Sequence, residues 1–206
     1  MDIIKLDSRG FASNTYILVS GQDAAVVDPS AQISEIKARL GSLKLRYILL
    51  THGHFDHILT LDSLRAAYRC EVLIHDYDAK MLTDPTINAS GFFGMDFVSL
   101  GTDEVLHDDD VISLGKDEIK VISTPGHTPG SVCYDCGSDL ICGDTLFSSG
   151  YGRYDLPGGD PQVLFNSLSM LSHINYNPMI HPGHGASVSL NDADIIRTIR
   201  NNNFEI

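Results

Sequence analysis

Four times in this chain a short apolar run ends in a loop of glycine, proline, histidine and aspartate. Tyr47-Ile48-Leu49-Leu50 leads into Thr51-His52-Gly53-His54-Phe55-Asp56-His57, and Ile119 to Ser123 leads into Thr124-Pro125-Gly126-His127-Thr128-Pro129-Gly130. Leu140 to Cys142 leads into Gly143-Asp144-Thr145, and Met179-Ile180 into His181-Pro182-Gly183-His184-Gly185. Apolar runs of this length, bounded by turn residues, read as buried strands. A chain leaving a strand points neighbouring side chains in different directions, so His52, His54 and His57 can converge on one small volume. The fold must therefore gather strand ends, which are rigid supports for a metal site. Imidazole together with carboxylate suits zinc, iron or manganese.

The candidates are His52, His54, Asp56, His57, His127, Asp144 and His184. One catalytic zinc takes three protein ligands and keeps a position for water. Seven side chains suit two metals bridged by one carboxylate, and they equally suit one metal with an outer ring of supporting groups. The four cysteines give no second motif. Cys133 and Cys136 lie three apart in a run that reads as a strand, where such positions face opposite ways. With no second ligand pair placed beside them, Cys70, Cys133, Cys136 and Cys142 are expected to be reduced, structural thiols.

Between these loops the chain alternates strands with helices. Ile3–Leu6, Thr15–Val19 and Ala24–Val27 read as strands, and Asp28-Pro29-Ser30 as the stop of the third and the cap of a helix ending at Gly41. A helix is predicted over Leu59–Tyr68, a strand over Glu71–His75 and a short helix over Tyr77–Leu82. Short strands return over Val111–Leu114, Ile119–Ser123, Ser131–Asp135 and Leu140–Cys142. Gln162–Ile174 is predicted to be a helix facing inward through Val163, Phe165, Leu168, Leu171 and Ile174. Met179-Ile180 reads as the last strand, and a final helix is expected from about Asn191 to Asn201. Two rounds of strands followed by helices imply two packed sheets with helices outside.

The chain has 206 residues and a net charge of −13, with no basic cluster. That balance disfavours a nucleic-acid partner and an anionic membrane surface, and leaves a small molecule as the expected partner. No apolar run approaches the ~20 residues that span a bilayer. Met1-Asp2-Ile3-Ile4-Lys5 does not read as a signal peptide, so the cytoplasm is the expected compartment.

THxHxDH, PGHTPGS, GDTLF and PGHG, in that order, resemble the metallo-β-lactamase superfamily of hydrolases, and most of all its small glyoxalase II-like members (hydroxyacylglutathione hydrolases). Asn14-Thr15-Tyr16 and Val27-Asp28-Pro29 fit the same pattern, so the resemblance spans nearly the whole chain. It implies an αββα sandwich of two mixed β-sheets with helices on the outer faces, as a single domain over residues 1–206. It also implies that His52, His54 and His127 bind a first metal, that Asp56, His57 and His184 bind a second, and that Asp144 bridges them. Two divalent ions, zinc foremost, with iron or manganese as alternatives, are the implied cofactors. The implied reaction is thioester hydrolysis. A bound metal lowers the pKa of water from 15.7 to about 7, and Asp56 orients the resulting hydroxide or takes its proton. A thiolate leaves without a dedicated acid. His127 and Asp144 favour this hydrolase pattern over the zinc β-lactamases proper, where a cysteine often replaces a ligand. The resemblance also admits an iron-dependent persulfide dioxygenase, a lactonase and a metal-loaded binding module. About twenty residues follow His184. The chain is therefore expected to lack the helical C-terminal domain that supplies full-length glyoxalase II with most of its glutathione contacts.

Four residues are candidates for touching substrate. Phe92 and Phe93, between Gly91 and Gly94 in the long irregular stretch Asp84–Leu100, suit either a lid over an apolar ligand or plain packing. Gly150-Tyr151-Gly152-Arg153-Tyr154-Asp155 resembles the GRxD loop of the glyoxalase II-like proteins and persulfide dioxygenases. It places Tyr151 or Arg153 on substrate, unless an Arg153–Asp155 pair merely pins the loop. His75 is expected to be packed and hydrogen-bonded, His181 to stand behind the Pro-Gly-His turn, and His107 and His173 to lie on the surface.

Overall fold

The computed structural model describes residues 1–7 and 9–201. The first sheet takes its strands in chain order: β1 (Asp2–Leu6), β2 (Thr15–Ser20), β3 (Asp23–Val27), β4 (Lys44–Leu49), β5 (Glu71–His75) and β6 (Glu104–Leu106). It is antiparallel from β1 to β3 and parallel from β3 to β6. Helices α1 (Ile33–Leu40) and α2 (Leu61–Tyr68) make the first two parallel crossovers, and the third, from β5 to β6, runs through 3-10 turns over Asp76–Thr83 and Ser90–Phe93. The chain then runs through β7 (Val111–Leu114), β8 (Asp117–Ser123), β9 (Val132–Asp135), β10 (Asp139–Gly143), and a small hairpin of β11 (Leu146–Phe147) and β12 (Gly150–Tyr151). It ends with α3 (Pro161–Ser172), β13 (Met179–Pro182), β14 (Val188–Ser189) and α4 (Asp194–Asn201). The second sheet has the order β14-β13-β10-β9-β8-β7, antiparallel except for the β10–β13 pair, which is parallel.

Strand alternation sorts the core into three layers. Tyr16, Leu18, Ala25 and Val27 from the first sheet meet Ile119, Val121, Val132, Tyr134 and Ile141 from the second, between the sheets. Their neighbours Ile17, Ala24, Val26 and Ile48 face outward onto Ile36 and Leu40 of α1 and Leu61 and Leu64 of α2. Cys133, Leu140, Cys142 and Ile180 face outward from the second sheet onto α3 and α4. This is the expected αββα arrangement of two mixed sheets with flanking helices.

The cysteines behave as the alternation requires. Cys133 packs beneath α3 and α4 while Cys136 packs between the sheets, and all four thiols are free. Burial pushes the Cys136 thiol up to about 12 and the Cys70 thiol up to about 11.

Several expectations need correction. α1 starts at Ile33 behind Gln32, which makes no capping bond, so Asp28-Pro29-Ser30 does not cap it. The Asp28 carboxylate turns inward instead. α3 begins at Pro161, capped by Asp160, whose carboxylate accepts from the N–H groups of Gln162 and Val163 at 2.8 and 3.0 Å. Its buried stripe is Leu164, Leu168 and Leu171, with Val163 only half-buried. Met179-Ile180 is not the last strand, because β14 follows it. α4 starts at Asp194 after a short 3-10 turn over Leu190–Asp192.

Candidate metal centre

All four strand-end loops open at the same edge of the sandwich. β4 releases the chain into a 3-10 turn over Phe55–His57, so His52, His54, Asp56 and His57 leave a tight bend in different directions. His127 comes from the β8–β9 loop, Asp144 from the end of β10 and His184 from the end of β13. Three groups of ligand atoms result: His52, His54 and His127; Asp56, His57 and His184; and Asp144 with His52 and His57. Within each group the ligand atoms lie within 4.8 Å of one another.

In the first group His127 Nε2 lies 2.9 Å from His54 Nδ1 and 3.2 Å from His52 Nε2. Nitrogens 2.0–2.1 Å from one tetrahedral zinc would be about 3.3 Å apart. In the second group Asp56 Oδ2 lies 3.2 Å from His184 Nε2 and 3.9 Å from His57 Nε2. Asp144 stands between the two groups. Its Oδ1 is 3.3 Å from His57 Nε2, and its Oδ2 is 3.7 Å from His184 Nε2 and 3.8 Å from His127 Nε2.

The surroundings fix the proton on three of the imidazoles, each time on the nitrogen facing away from the centre. His127 Nδ1 donates to the Arg153 carbonyl at 2.6 Å. His57 Nδ1 meets Asp28 Oδ2 at 2.8 Å. The Thr51 hydroxyl donates to Asp28 Oδ2 at 2.7 Å, so it accepts from His52 Nδ1 at 3.1 Å. The Nε2 atoms of all three are thus turned inward, His52 and His127 in the tautomer that metal ligation requires and His57 ready to reach it on losing its Nε2 proton. His57 Nε2 and Asp144 Oδ1 are buried without a hydrogen bond although they face each other. Buried polar atoms are rarely left so, and a cation between them would satisfy both. The donor set therefore fits two divalent ions.

Electrostatics divide the centre. Burial, then His127, pushes the His54 imidazole down to about 3. Burial and its histidine neighbours also hold His52 well below the ordinary value. Burial opposes a charge on His57, but Asp28, Asp144 and Asp56 overcome it and carry the imidazole well above its usual value. Burial likewise opposes ionisation of Asp144 and Asp56, and the facing histidines outweigh it, so both stay below the usual carboxylate range.

Three supports hold the loops. Asp28 has a left-handed backbone (φ 51°) and is fully buried, with Oδ1 accepting from the Thr51 N–H at 2.8 Å. One carboxylate thereby orients His57 directly and His52 through Thr51. Asp78, in a 3-10 helix over Asp76–Thr83, accepts from Gly53 N–H at 3.0 Å, Thr128 Oγ1 at 2.6 Å and Gly130 N–H at 2.7 Å. It brackets the loop of His52 and His54 against the loop of His127. The His184 turn is held from the first sheet. Asn14 Nδ2 donates to the carbonyls of Pro182 and Gly185 at 2.9 and 3.0 Å, Tyr16 Oη donates to Pro182 at 2.6 Å, and Lys5 Nζ donates to Gly185 at 2.7 Å. Glycine is needed at 183, where an added Cβ would run into Asp144 Oδ1 and the His57 ring.

The centre forms one wall of a cleft of about 470 Å³ that Phe93, Tyr151 and Arg153 also line. Phe92 does not line it and is 65% exposed, which corrects its candidacy. Of the two neighbours in the Ser90–Phe93 turn, Phe93 lines the cleft. The Arg153 guanidinium is paired in bidentate fashion with Asp155 at 2.7 and 2.8 Å, as the pinning alternative expects. The sequence reading missed Phe11, Phe55, Phe147 and Leu156 in this cleft, and Asp28 and Asp78 behind it. The Asp84–Leu100 stretch is tied down by Phe55 N–H to Asn88 at 3.0 Å and Ser99 Oγ to Asp62 at 2.8 Å. His75 is buried beside Tyr77, whose N–H it accepts, and it does not reach the cleft. His181 bridges Asp139 and Ser187, while His107 and His173 are exposed. No helix among the described residues is long and apolar enough to cross a membrane.

Residues 8–188 match the family described as the metallo-β-lactamase superfamily. The "Probable metallo-hydrolase YqgX" of Bacillus subtilis is 34% identical over 179 residues, covering 84% of this chain and 85% of that protein. The crystal structure of the BLEG-1 B3 metallo-β-lactamase superposes with a TM-score of 0.88 at 28% identity, covering 95% of this chain and 99% of its own. The crystal structure of TTHA1623 in a di-iron-bound form gives 0.80 at 30% identity, with 92% and 96% covered.

Proposed function

We propose, for a chain that belongs to the metallo-β-lactamase superfamily and is a metal-dependent hydrolase of it, that its substrates are thioesters of the hydroxyacylglutathione type. His52, His54 and His127 would hold one divalent ion, Asp56, His57 and His184 a second, and Asp144 both. The observation that carries the reading is Asp144 standing between the two groups with contacts of 3.3 to 3.8 Å. When bound, such a pair of ions makes a water molecule nucleophilic at neutral pH and polarises a carbonyl oxygen. Zinc is the first choice for this histidine-rich set. Iron is the alternative, given the di-iron form of TTHA1623.

The residues themselves account for the rest. Asp56, held anionic by His57 and His184, lines the cleft and accepts an O–H from the attacking water. Asp28, Thr51 and the Arg153 carbonyl keep three imidazoles in one tautomer, so no proton is lost to the wrong nitrogen. Among the described residues Arg153 is the only lysine or arginine that lines the cleft, and it is already paired with Asp155. A thiolate leaves unprotonated near neutral pH, its conjugate acid having a pKa near 8.5. An amine must be protonated to leave, and the cleft offers no committed acid. This supports thioesters over the second reading, β-lactam amide hydrolysis, which the likeness to BLEG-1 favours.

The test is thiol release from S-lactoylglutathione by protein reconstituted with zinc or iron, with Asp144→Ala as control. Release lost in the variant supports the reading. Absent release with metal bound rejects the thioester assignment and turns attention to a chromogenic cephalosporin, a lactone panel, and oxygen uptake with a persulfide.

A further inference from the structure

We propose that the wall formed by Phe11, Phe55 and Phe93 is an acyl subsite, and that the preferred substrates carry an apolar acyl group larger than lactoyl. The inference rests on the thioester reading and narrows it. Phe93 is the keystone. Its ring centroid lies 5.5 Å from Phe55 and 5.8 Å from Phe11, in tilted contacts typical of aromatic pairs. Phe55 sits between His54 and Asp56, so the aromatic wall begins directly beside the metal ligands. Phe11 and Phe93 nevertheless remain 68% and 47% exposed. Aromatic rings that pack on one another yet keep so much surface open at a cleft mouth mark a ligand site.

The polarity of the cleft points the same way. Ala89 adds to the apolar lining, and among the described residues no lysine or unpaired arginine lines the space. A lactoyl group is small and carries a hydroxyl, so it leaves this wall wet and gains little from it. Biological thiol carriers are polar or anionic, which leaves the acyl chain as the apolar part of a thioester. A volume of about 470 Å³ holds such a chain as well as the reacting carbonyl.

The experiment uses zinc-reconstituted protein and N-acetylcysteamine thioesters of straight-chain acids from acetyl to octanoyl, beside S-lactoylglutathione. Burial of the chain is expected to raise kcat/KM about fourfold per methylene until the wall is filled. Phe93→Ala and Phe93→Leu are expected to flatten the gradient, the first more, with metal content unchanged. A flat series, a preference for lactoyl, or a gradient that follows chain length on the thiol side overturns the acyl subsite while leaving thioester hydrolysis intact. Calorimetric binding of acetate, butanoate and hexanoate is measured in parallel. If no thioester is turned over, the thioester reading fails, and the subsite stands or falls on whether affinity climbs with chain length and drops in Phe93→Ala.

Discussion

The two halves of the centre are built from different material. The first group is three buried histidines, two of them with strongly depressed pKa values, joined across the sheets by the carboxylate of Asp78. The second contains a carboxylate, Asp56, and a histidine, His184, whose side chain is 37% exposed. Its joint across the sheets is made by Asn14, Tyr16 and Lys5 on main-chain carbonyls. The first half is neutral, buried and clamped through loop backbone, while the second carries a carboxylate and includes His184, a more exposed ligand. A neutral histidine set places one ion without attracting protons. The carboxylate-bearing set suits the more exposed side of the centre. Asp144 and Asp28 are the two residues that speak to both halves, so they are the sharpest tools for testing the division.

Asp144→Ala removes the carboxylate between the groups, and the largest loss is expected there. Metal content should fall from two ions toward one per chain, and kcat/KM by about 10³-fold or more, beyond the roughly 10- to 100-fold that supporting residues cost. Elemental analysis beside thiol release measures both. Two tightly held ions in the variant would show that the halves are independent.

Asp28→Asn comes next, because it acts through proton position. If the amide oxygen keeps the Thr51 N–H, the amide nitrogen takes the place of Oδ2 and donates to His57 Nδ1. The His57 proton then moves to Nε2, facing the centre. Metal affinity at the second group should fall about 10- to 100-fold, and His52 should be less affected because only its Thr51 link is disturbed. Chelator competition on the variant reads the two affinities separately. Asp78→Asn is the mirror test on the first group. Its amide must turn an N–H toward the backbone N–H of either Gly53 or Gly130, at a cost of about 1–3 kcal/mol in stability. The weaker affinity should now belong to the first ion.

These supports also show what a sequence displays and what it hides. The seven ligand-type residues stood out because only histidine and aspartate supply such donors and because each follows an apolar run into glycine and proline. The two packed sheets followed from two rounds of strands and helices, and the αββα layering from the family resemblance. Asp28 was hidden by its own plausibility, since an acid before Pro29 looks like a helix cap. Only its left-handed backbone turns it inward to His57. Asp78 lies in a polar 3-10 stretch with no period to read, and its three donors come from 25 to 52 residues away. Phe92 and Phe93 are equal in sequence, and only the tight turn that carries them decides which ring lines the cleft. Phe11 carries no local signal at all. β14 is two residues long and pairs only because β13 presents a free edge.

The pKa contrast between the halves gives a prediction for the metal-free protein. His54 is held at about 3 when folded, by burial first and His127 second, against an ordinary value near 6.5. The unfolded chain therefore binds a proton below pH 6.5 that the folded chain refuses until about pH 3, and stability falls as pH drops through that window. His52 adds to the loss. His57 is raised, so its contribution is complete below pH 6.5 and is lost only as pH rises through its higher folded value. Between pH 6.5 and 5 the slope thus comes from the first group together with His75, which burial also holds below its ordinary value, at up to about 1.4 kcal/mol per pH unit per histidine. Denaturant melts of chelated protein should show His54→Gln with a shallower acid slope than wild type, and His57→Gln with the same slope. Metal should steepen the slope, because a bound ion keeps the proton off His57 as well in the folded chain and is itself lost as protons compete for the ligands.

The smallest effect is expected at Arg153, and it separates main chain from side chain. Its carbonyl accepts the His127 Nδ1 proton, whereas its guanidinium is exposed and paired with Asp155. Arg153→Ala keeps the carbonyl and deletes the pair. An exposed ion pair is worth about 0.2–1 kcal/mol, so the melting midpoint should move by only a few degrees at most. Metal content should not change. If the side chain only pins the loop, kcat/KM falls by no more than a few fold, equally for neutral N-acetylcysteamine esters and for anionic glutathione esters. A KM increase confined to the glutathione esters would instead make the guanidinium a contact for the anionic thiol, and would place a charged subsite opposite the aromatic one.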